Sequence, residues 1–297
     1  MTYPSYPSPA DSSGQPGWYP LRPLSIGEVI GAGLRIGTRH LTVLAPIAFL
    51  FAIVSAAANL FVLASKGVLR GYANGDLTRL PRGASTEQAN EFVRSYFANL
   101  LPALAVSAVV GMIAAAMLAG VAAPFAALAA TSRIGTNSAG LARLRGRWPV
   151  LLGVAVVVGL AQAVGFALLI VPGVLIWLIL LPAGPAAAME GLAVGPTLSR
   201  AAAVSKGFRG RLLGVSLLMG LITGAINLAL AAIFTRVVGG DDPVTRLVIT
   251  QILTALISSV VTPWSASVTA MLYIDIRMRR EGLAQALLAA SRPTYWS

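Results

Sequence analysis

The side chains best suited to chemistry lie where two long apolar stretches of this sequence end. Glu190 closes one stretch, and Tyr273 and Asp275 close another, with Arg277 and Arg280 just beyond them. Carboxylates and guanidinium groups form strong charge-assisted hydrogen bonds. The group therefore either ties neighbouring segments together by ion pairs or holds the phosphate of a lipid headgroup.

The two alternatives use the same residues differently. In the ion-pair alternative, Glu190 and Asp275 pair with nearby arginines and fix the linker segments to the apolar helices. In the headgroup alternative, Arg200, Arg277 and Arg280 bind a phospholipid headgroup, while Asp275 orients one guanidinium. The residue types leave both alternatives open.

No other constellation in the sequence points to catalysis. The chain has one histidine, His40, and no cysteine, and it lacks the common metal, phosphate-loop and nucleophile motifs. No charged residue lies near the middle of an apolar stretch, where ion-coupled pumps usually keep one. We expect a protein that is not an enzyme, with no catalytic residue, no metal and no cofactor.

Four amide side chains do lie inside the apolar stretches. They are Asn59, Gln162, Asn227 and Gln251. Interhelical hydrogen bonds, at about 1 kcal/mol each, account for such residues without any substrate.

The elements that must position all these groups are six apolar stretches. The sequence is 57% hydrophobic and 11% charged, with a mean hydropathy of +0.79, whereas soluble domains carry about 25% charged residues. A bilayer core of about 30 Å needs a helix of about 20 residues. The predicted spans are 41–64, 97–131, 149–171, 174–189, 212–235 and 247–274. We predict an all-α membrane protein of six transmembrane helices, arranged as three hairpins.

The placement of charge predicts topology. Of the 22 basic residues, 15 fall on the side that holds both termini, and positive loops stay cytoplasmic. We therefore predict a multi-pass plasma-membrane protein with both termini in the cytoplasm. The net charge of +12 is then a topology signal rather than a nucleic-acid surface, and we expect membrane lipids, with anionic ones as one alternative, and a membrane protein as partners.

Prolines recur in the even-numbered spans. Pro124, Pro182 with Pro185, and Pro263 each precede small residues. Because proline removes a backbone hydrogen bond, we predict three weakened helices there. They either surround a cavity open to the cytoplasm or reflect only the frequency of proline in membrane helices.

The remaining segments complete the domain plan. Residues 1–23 are rich in Pro, Ser and Tyr and are predicted to be a disordered tail, followed by a transmembrane domain over 24–290 and a short tail over 291–297. Ser25 and Glu28 have capping-box spacing ahead of an amphipathic stretch, and 195–211 is a second basic segment. Both are predicted to be interfacial helices. Val171-Pro172-Gly173 is predicted to be the turn between spans three and four.

Three segments resemble a bacterial family, the glycerophosphoryl diester phosphodiesterase membrane domain proteins. They are RPLSIGE from Arg22 to Glu28, PAAAMEG from Pro185 to Gly191, and YIDIRMRREG from Tyr273 to Gly282. The resemblance implies a bacterial six-helix membrane module. It does not extend to the phosphodiesterase half of the name, whose paired histidines and carboxylates this sequence lacks.

These observations together predict a non-catalytic integral membrane protein, a scaffold or accessory subunit in envelope or lipid metabolism. The alternative is a transporter or flippase for a lipid or amphiphile that uses proline-broken helices. A polar, lipid-accessible cavity beside the prolines favours transport, and a tightly packed bundle favours the scaffold.

Overall fold

The protein is an all-α membrane protein, seen here in a computed structural model. The structure describes residues 17–76, 83–131, 136–238, 242–283 and Gln285, and this part of the chain contains helices and no strand. Within it, six helical segments are long and apolar enough to cross a membrane.

Twelve helices make up this described part. The first six are α1 (Ile26–Arg39), α2 (Leu41–Ser65), α3 (Leu69–Asn74), α4 (Thr86–Ser95), α5 (Leu101–Thr131) and α6 (Asn137–Arg143). The second six are α7 (Trp148–Leu168), α8 (Ile170–Leu180), α9 (Ala183–Glu190), α10 (Val194–Ser205), α11 (Arg209–Val237) and α12 (Pro243–Glu281). A π-helical turn at Tyr96–Leu100 joins α4 to α5, so the second span starts earlier than the sequence suggested.

The three predicted hairpins are α2 with α4–α5, α7 with α8–α9, and α11 with α12. Helices α5 and α12 form the centre, since α5 packs on α2, α7, α9 and α12, while α12 also packs on α1 and α11. Small residues permit the closest contact. A Cβ on Gly184 of α9 would lie 2.1 Å from the carbonyl oxygen of Ala116 in α5.

The first amphipathic helix packs lengthwise along α12. Ser25 and Glu28 form the predicted capping box, and the hydroxyl of Thr38 accepts a hydrogen bond of 3.1 Å from the indole of Trp264. A Cβ on Gly33 would lie 2.5 Å from the side chain of Val268, so glycine permits the close approach of the two helices. Helix α1 is therefore part of the bundle as well as amphipathic.

The predicted turn between spans three and four is displaced. The interruption lies at Leu169, whose extended backbone separates α7 from α8. Pro172 and Gly173 belong to the first turn of α8, where proline is tolerated because its missing N–H would have no helical partner.

The predicted tail over 1–23 is also partly wrong. Residues 1–16 lie outside the described part, but 17–23 pack against the bundle. The Trp18 N–H donates to the Ala129 carbonyl at 2.8 Å, and the Tyr19 hydroxyl donates to the Ala126 carbonyl at 2.8 Å. Two large apolar side chains, Tyr19 and Leu21, are buried, and their burial offsets the entropy of ordering this segment. The predicted tail over 291–297 lies outside the described residues.

Proline interrupts only one of the three predicted helices. Pro124 and Pro263 lie inside α5 and α12, which continue through them. Of these three proline-containing spans, the fourth is the one whose helix is interrupted, at Leu181 and Pro182 between α8 and α9. Neighbouring helices pack on α5 and α12, and both helices lose one backbone hydrogen bond at proline without ending.

Candidate functional site at the charged end of the bundle

The buried carboxylate of Asp275 is the centre of the charged cluster. Asp275 is 0% exposed, and it accepts hydrogen bonds from the Leu24 N–H at 2.7 Å and from Arg211 Nε at 2.8 Å. Arg279, one turn further along α12, adds a bond of 3.1 Å from its Nε. Both arginines also donate to the Leu24 carbonyl. Three distant segments therefore meet at one carboxylate.

A second carboxylate, Glu190, ends α9 and joins it to α10 and α12. Arg200 donates from Nε to Glu190 at 2.7 Å, and the Tyr273 hydroxyl donates to the other carboxylate oxygen. Arg277 lies 3.7 Å from the same oxygen. Because Glu190 accepts a hydrogen bond from Arg200, the pKa of that guanidinium is raised further above its ordinary value.

Glu281 closes the cluster from the end of α12. It pairs with Arg277, four residues before it, at 2.8 Å and with Arg200. Arg280 points elsewhere, because its guanidinium donates to the carbonyls of Ala203 and, at 3.1 Å, Lys206, which terminate α10. Carbonyls at a helix end lack partners within the helix, so a guanidinium there caps α10.

The segment that leads into α1 is fixed by its own ion pair. Arg22 donates to Glu28 at 2.7 Å, and Glu28 accepts from the Ser25 N–H at 2.7 Å. The bond from the Ser25 backbone holds the pKa of the Glu28 carboxyl below its usual value. This capping arrangement places Leu24 against Asp275.

The geometry favours the ion-pair alternative over the headgroup alternative. Arg200 and Arg277 already pair with carboxylates, and Arg280 already caps a helix. The prediction that Asp275 orients one of the headgroup arginines is wrong, since Asp275 orients Arg211 and Arg279. The cluster fastens α10, α11 and the residues before α1 to the ends of α9 and α12.

The residues near Pro124 and Pro185 pack closely against neighbouring helices. Ala183, Gly184 and Pro185 are buried, and Gly120, four residues before Pro124, packs on Leu151 and Gly184. Close packing at these two sites favours the alternative in which the prolines need no cavity around them.

A small cavity does lie beside Pro263, between α5, α7, α8 and α12. Its volume is about 80 Å³ and it is partly open. Most of its wall is apolar, and the polar side chains that line it are Gln162, Trp177, Thr262, Ser265 and Thr269. Within the described part of the chain, no Asp, Glu, Lys, Arg or His lines it.

His40 joins the start of α2 to the end of α5. Its ring is buried and stacks on Phe125 with ring centroids 4.3 Å apart. Nδ1 lies 2.6 Å from the Asn137 side-chain oxygen, and the amide of Asn137 donates to Thr42 at 2.8 Å. Burial lowers the pKa of His40 below its ordinary value, against a smaller opposite effect of the Asn137 hydrogen bond.

Two members of the cluster and one polar group of the cavity were not predicted from the sequence. Arg211 and Arg279 looked like topology-determining residues, although the i, i+4 spacing of Asp275 and Arg279 was a signal for an ion pair. Gln162 looked like one of four equivalent amides, and nothing in its sequence context indicated the cavity.

Comparison with family models, curated proteins and solved structures finds no match for this chain. The resemblance to the glycerophosphoryl diester phosphodiesterase membrane domain family therefore stays a prediction from three short motifs. The fold and the geometry of the described residues carry the functional argument.

Proposed function

We propose that the protein is a non-catalytic accessory or scaffold protein of a bacterial plasma membrane, serving envelope or lipid metabolism, with α11 as the helix that meets a partner. The supporting observation is the sparse packing of α11. Only 6% of its most apolar stretch is buried, compared with 17–44% in the other five spans.

The sequence of α11 suits contact with another helix. A Cβ on Gly214, Gly220 or Gly224 would meet no atom within 4 Å, so these glycines line no contact within the bundle. Gly220 and Gly224 have the four-residue spacing that lets transmembrane helices approach closely. Such a surface is covered either by lipid or by a helix of another protein, and we assign the helix.

The charged end of the bundle supports a role without chemistry. Its carboxylates Glu190, Asp275 and Glu281 are each paired with arginines. Among the described residues, no group of three or more His, Asp or Glu is placed to hold a metal. The ion pairs instead keep the start of α11 in a fixed position, because Arg211 is held by Asp275.

Photo-crosslinking from α11 tests the proposal. A photoreactive residue at Leu221 or Leu228, which are 71% and 74% exposed, is expected to capture one identifiable membrane protein in native membranes. Val164 and Leu168 of α7, 60% and 69% exposed, provide matched lipid-facing controls that capture none. Gly220→Ile is expected to abolish the adduct.

Two outcomes would contradict the assignment. Identical products from α11 and α7 would mean that α11 faces only lipid. A single lipid that copurifies in stoichiometric amounts without any protein adduct would favour the transporter, which a lipid-flipping assay in vesicles would then examine.

A further inference from the structure

The cavity between α5, α7, α8 and α12 is lined by a polar side chain that makes no hydrogen bond with the described residues. Gln162 is 4% exposed, lines the cavity, and makes no side-chain hydrogen bond with any described residue. A buried carboxamide without a partner is unfavourable because desolvation is not repaid.

Further hydrogen-bonding groups face the same space. The Trp177 indole N–H and the hydroxyls of Thr262 and Ser265 line the cavity and likewise make no hydrogen bond with the described part of the chain. The Thr269 hydroxyl donates to the Ser265 carbonyl at 3.0 Å, which leaves its lone pairs to accept. The cavity thus offers donors and acceptors together on one wall.

The rest of the lining restricts what can bind. The other lining residues are the apolar side chains Met112, Ala115, Ala116, Ala119, Val158, Leu180, Leu181 and Ala266. Without a charged side chain in the lining, an anionic or cationic ligand would lose its hydration without compensation. An uncharged group that both donates and accepts fits this wall.

The size and opening indicate how such a group enters. A volume of about 80 Å³ holds several water molecules or one small polar group, but not a whole lipid. Among the described residues, helices α8 and α12 both line the cavity yet scarcely touch each other, and α10 and α11 each pack on both of them. Because the cavity is partly open, hydrocarbon chains can remain outside while the polar group lies inside.

We propose that this cavity binds the uncharged ester and hydroxyl region of a neutral glycerolipid, with Gln162 as its main hydrogen-bonding residue. The Gln162 carboxamide donates to an ester carbonyl and accepts from a hydroxyl, and Trp177 with the α12 hydroxyls completes the site. Anionic lipids are excluded because the arginines that would balance their charge lie in ion pairs at the charged end. This site is independent of a partner at α11.

A photoreactive diacylglycerol tests the site. The full-length protein in phosphatidylcholine nanodiscs is labelled with dioctanoylglycerol that carries a diazirine in one acyl chain, and the adducts are mapped by mass spectrometry. Labelling is expected to saturate and to map to residues 112–119 and 177–181. Unlabelled dioctanoylglycerol is expected to compete, whereas hexadecane and dioctanoylphosphatidylglycerol are not.

Substitutions distinguish binding through hydrogen bonds in the cavity from non-specific binding to an apolar surface. Gln162→Leu is expected to weaken labelling about tenfold, the effect of losing one to two buried hydrogen bonds. Gln251→Leu, the same change in α12 outside the cavity, is expected to leave it unchanged. Thr269→Val, which removes a hydroxyl and keeps the side-chain shape, provides a second variant should Gln162→Leu fold poorly in gel filtration.

Three results would overturn the proposal. Absence of saturable labelling in the wild-type protein would mean that the cavity holds only water. Competition by hexadecane equal to that by diacylglycerol would show that the polar wall is unimportant. If Gln162→Leu and Thr269→Val were both labelled as strongly as the wild-type protein, neither residue would contribute to lipid binding. Gly220→Ile in α11 is expected to retain labelling, so the lipid-site proposal and the partner-surface proposal can be refuted independently of each other.

Discussion

Two groups of polar side chains lie between the central helices of this bundle, and they differ in whether their partners belong to the protein. At the charged end, Asp275 accepts bonds from Leu24, Arg211 and Arg279. In the cavity, Gln162 is almost as deeply buried and has no such partner. A polar group that is satisfied internally fixes the fold, whereas one that is left open defines a place for something else to bind.

Of the substitutions that test this comparison, removal of the Asp275 carboxylate should change the stability of the protein most. Asp275→Asn removes two charge-assisted hydrogen bonds, from Arg211 and Arg279, at a carboxylate that is fully buried, and we expect the free energy of unfolding to fall by about 3–5 kcal/mol. Thermal unfolding in detergent, followed by circular dichroism, measures the loss. Glu87→Gln, an exposed change in α4, is the control. Equal stability of the two variants would show that Asp275 is not essential to the fold.

A methyl group at the closest helix contact should have a smaller effect. Gly184→Ala places a Cβ 2.1 Å from the Ala116 carbonyl, and separating α5 from α9 should cost about 1–3 kcal/mol. Gly111→Ala in α5 meets no atom within 4 Å and should be neutral or stabilising by up to about 1 kcal/mol. The same melting experiment compares them, and a neutral Gly184→Ala would mean that the packing near Pro185 is looser than described.

Substitution of Gln162 in the cavity should raise the stability of the protein instead of lowering it. In detergent without neutral lipid, Gln162→Leu replaces a polar amide by an apolar side chain in a mostly apolar wall, so the melting temperature should rise, by the equivalent of up to about 1 kcal/mol. Gln251→Leu serves as the matched control. A clear loss of stability in Gln162→Leu would show that Gln162 has a structural partner and would erase the contrast with Asp275.

The smallest expected effect is a pH dependence at His40, the one histidine of the chain. Burial lowers the pKa of His40 in the folded protein, whereas the unfolded chain binds a proton near pH 6.5. Stability should therefore be fully present above about pH 6.5 and should decline as the pH falls from there towards the lowered pKa. His40→Gln should flatten this part of a melting-temperature profile, and an unchanged profile would contradict the assignment to His40.

Features that depend on neighbours along the chain were predicted better than contacts between residues far apart in the sequence. The apolar run lengths predicted six helices, and the spacing of Ser25 with Glu28 predicted a capping box, because both depend on neighbours along the chain. Ser85 with Gln88 caps α4 in the same way. The choice of Arg211 as partner of Asp275 was not predictable, since it lies 64 residues away among chemically identical arginines.

The errors have a physical origin as well. Pro172 and Gly173 are typical turn residues, yet proline fits the first turn of α8 equally well. The composition of the Pro- and Ser-rich N-terminal segment did not indicate that Tyr19 and Leu21 are buried, because their burial depends on contacts with α5. Gln162 acquires its role only because α8 and α12 fail to meet.

The position of Leu24 has a consequence for how the chain is made. Its backbone N–H and carbonyl are held by Asp275, Arg211 and Arg279, and 251 residues separate Leu24 from Asp275. During synthesis, the segment before α1 emerges first, but its binding site is complete only when the last helix has been inserted. Docking of Leu24 therefore closes the bundle at the end of assembly, and a chain interrupted before α12 would leave that segment and Arg211 without these partners.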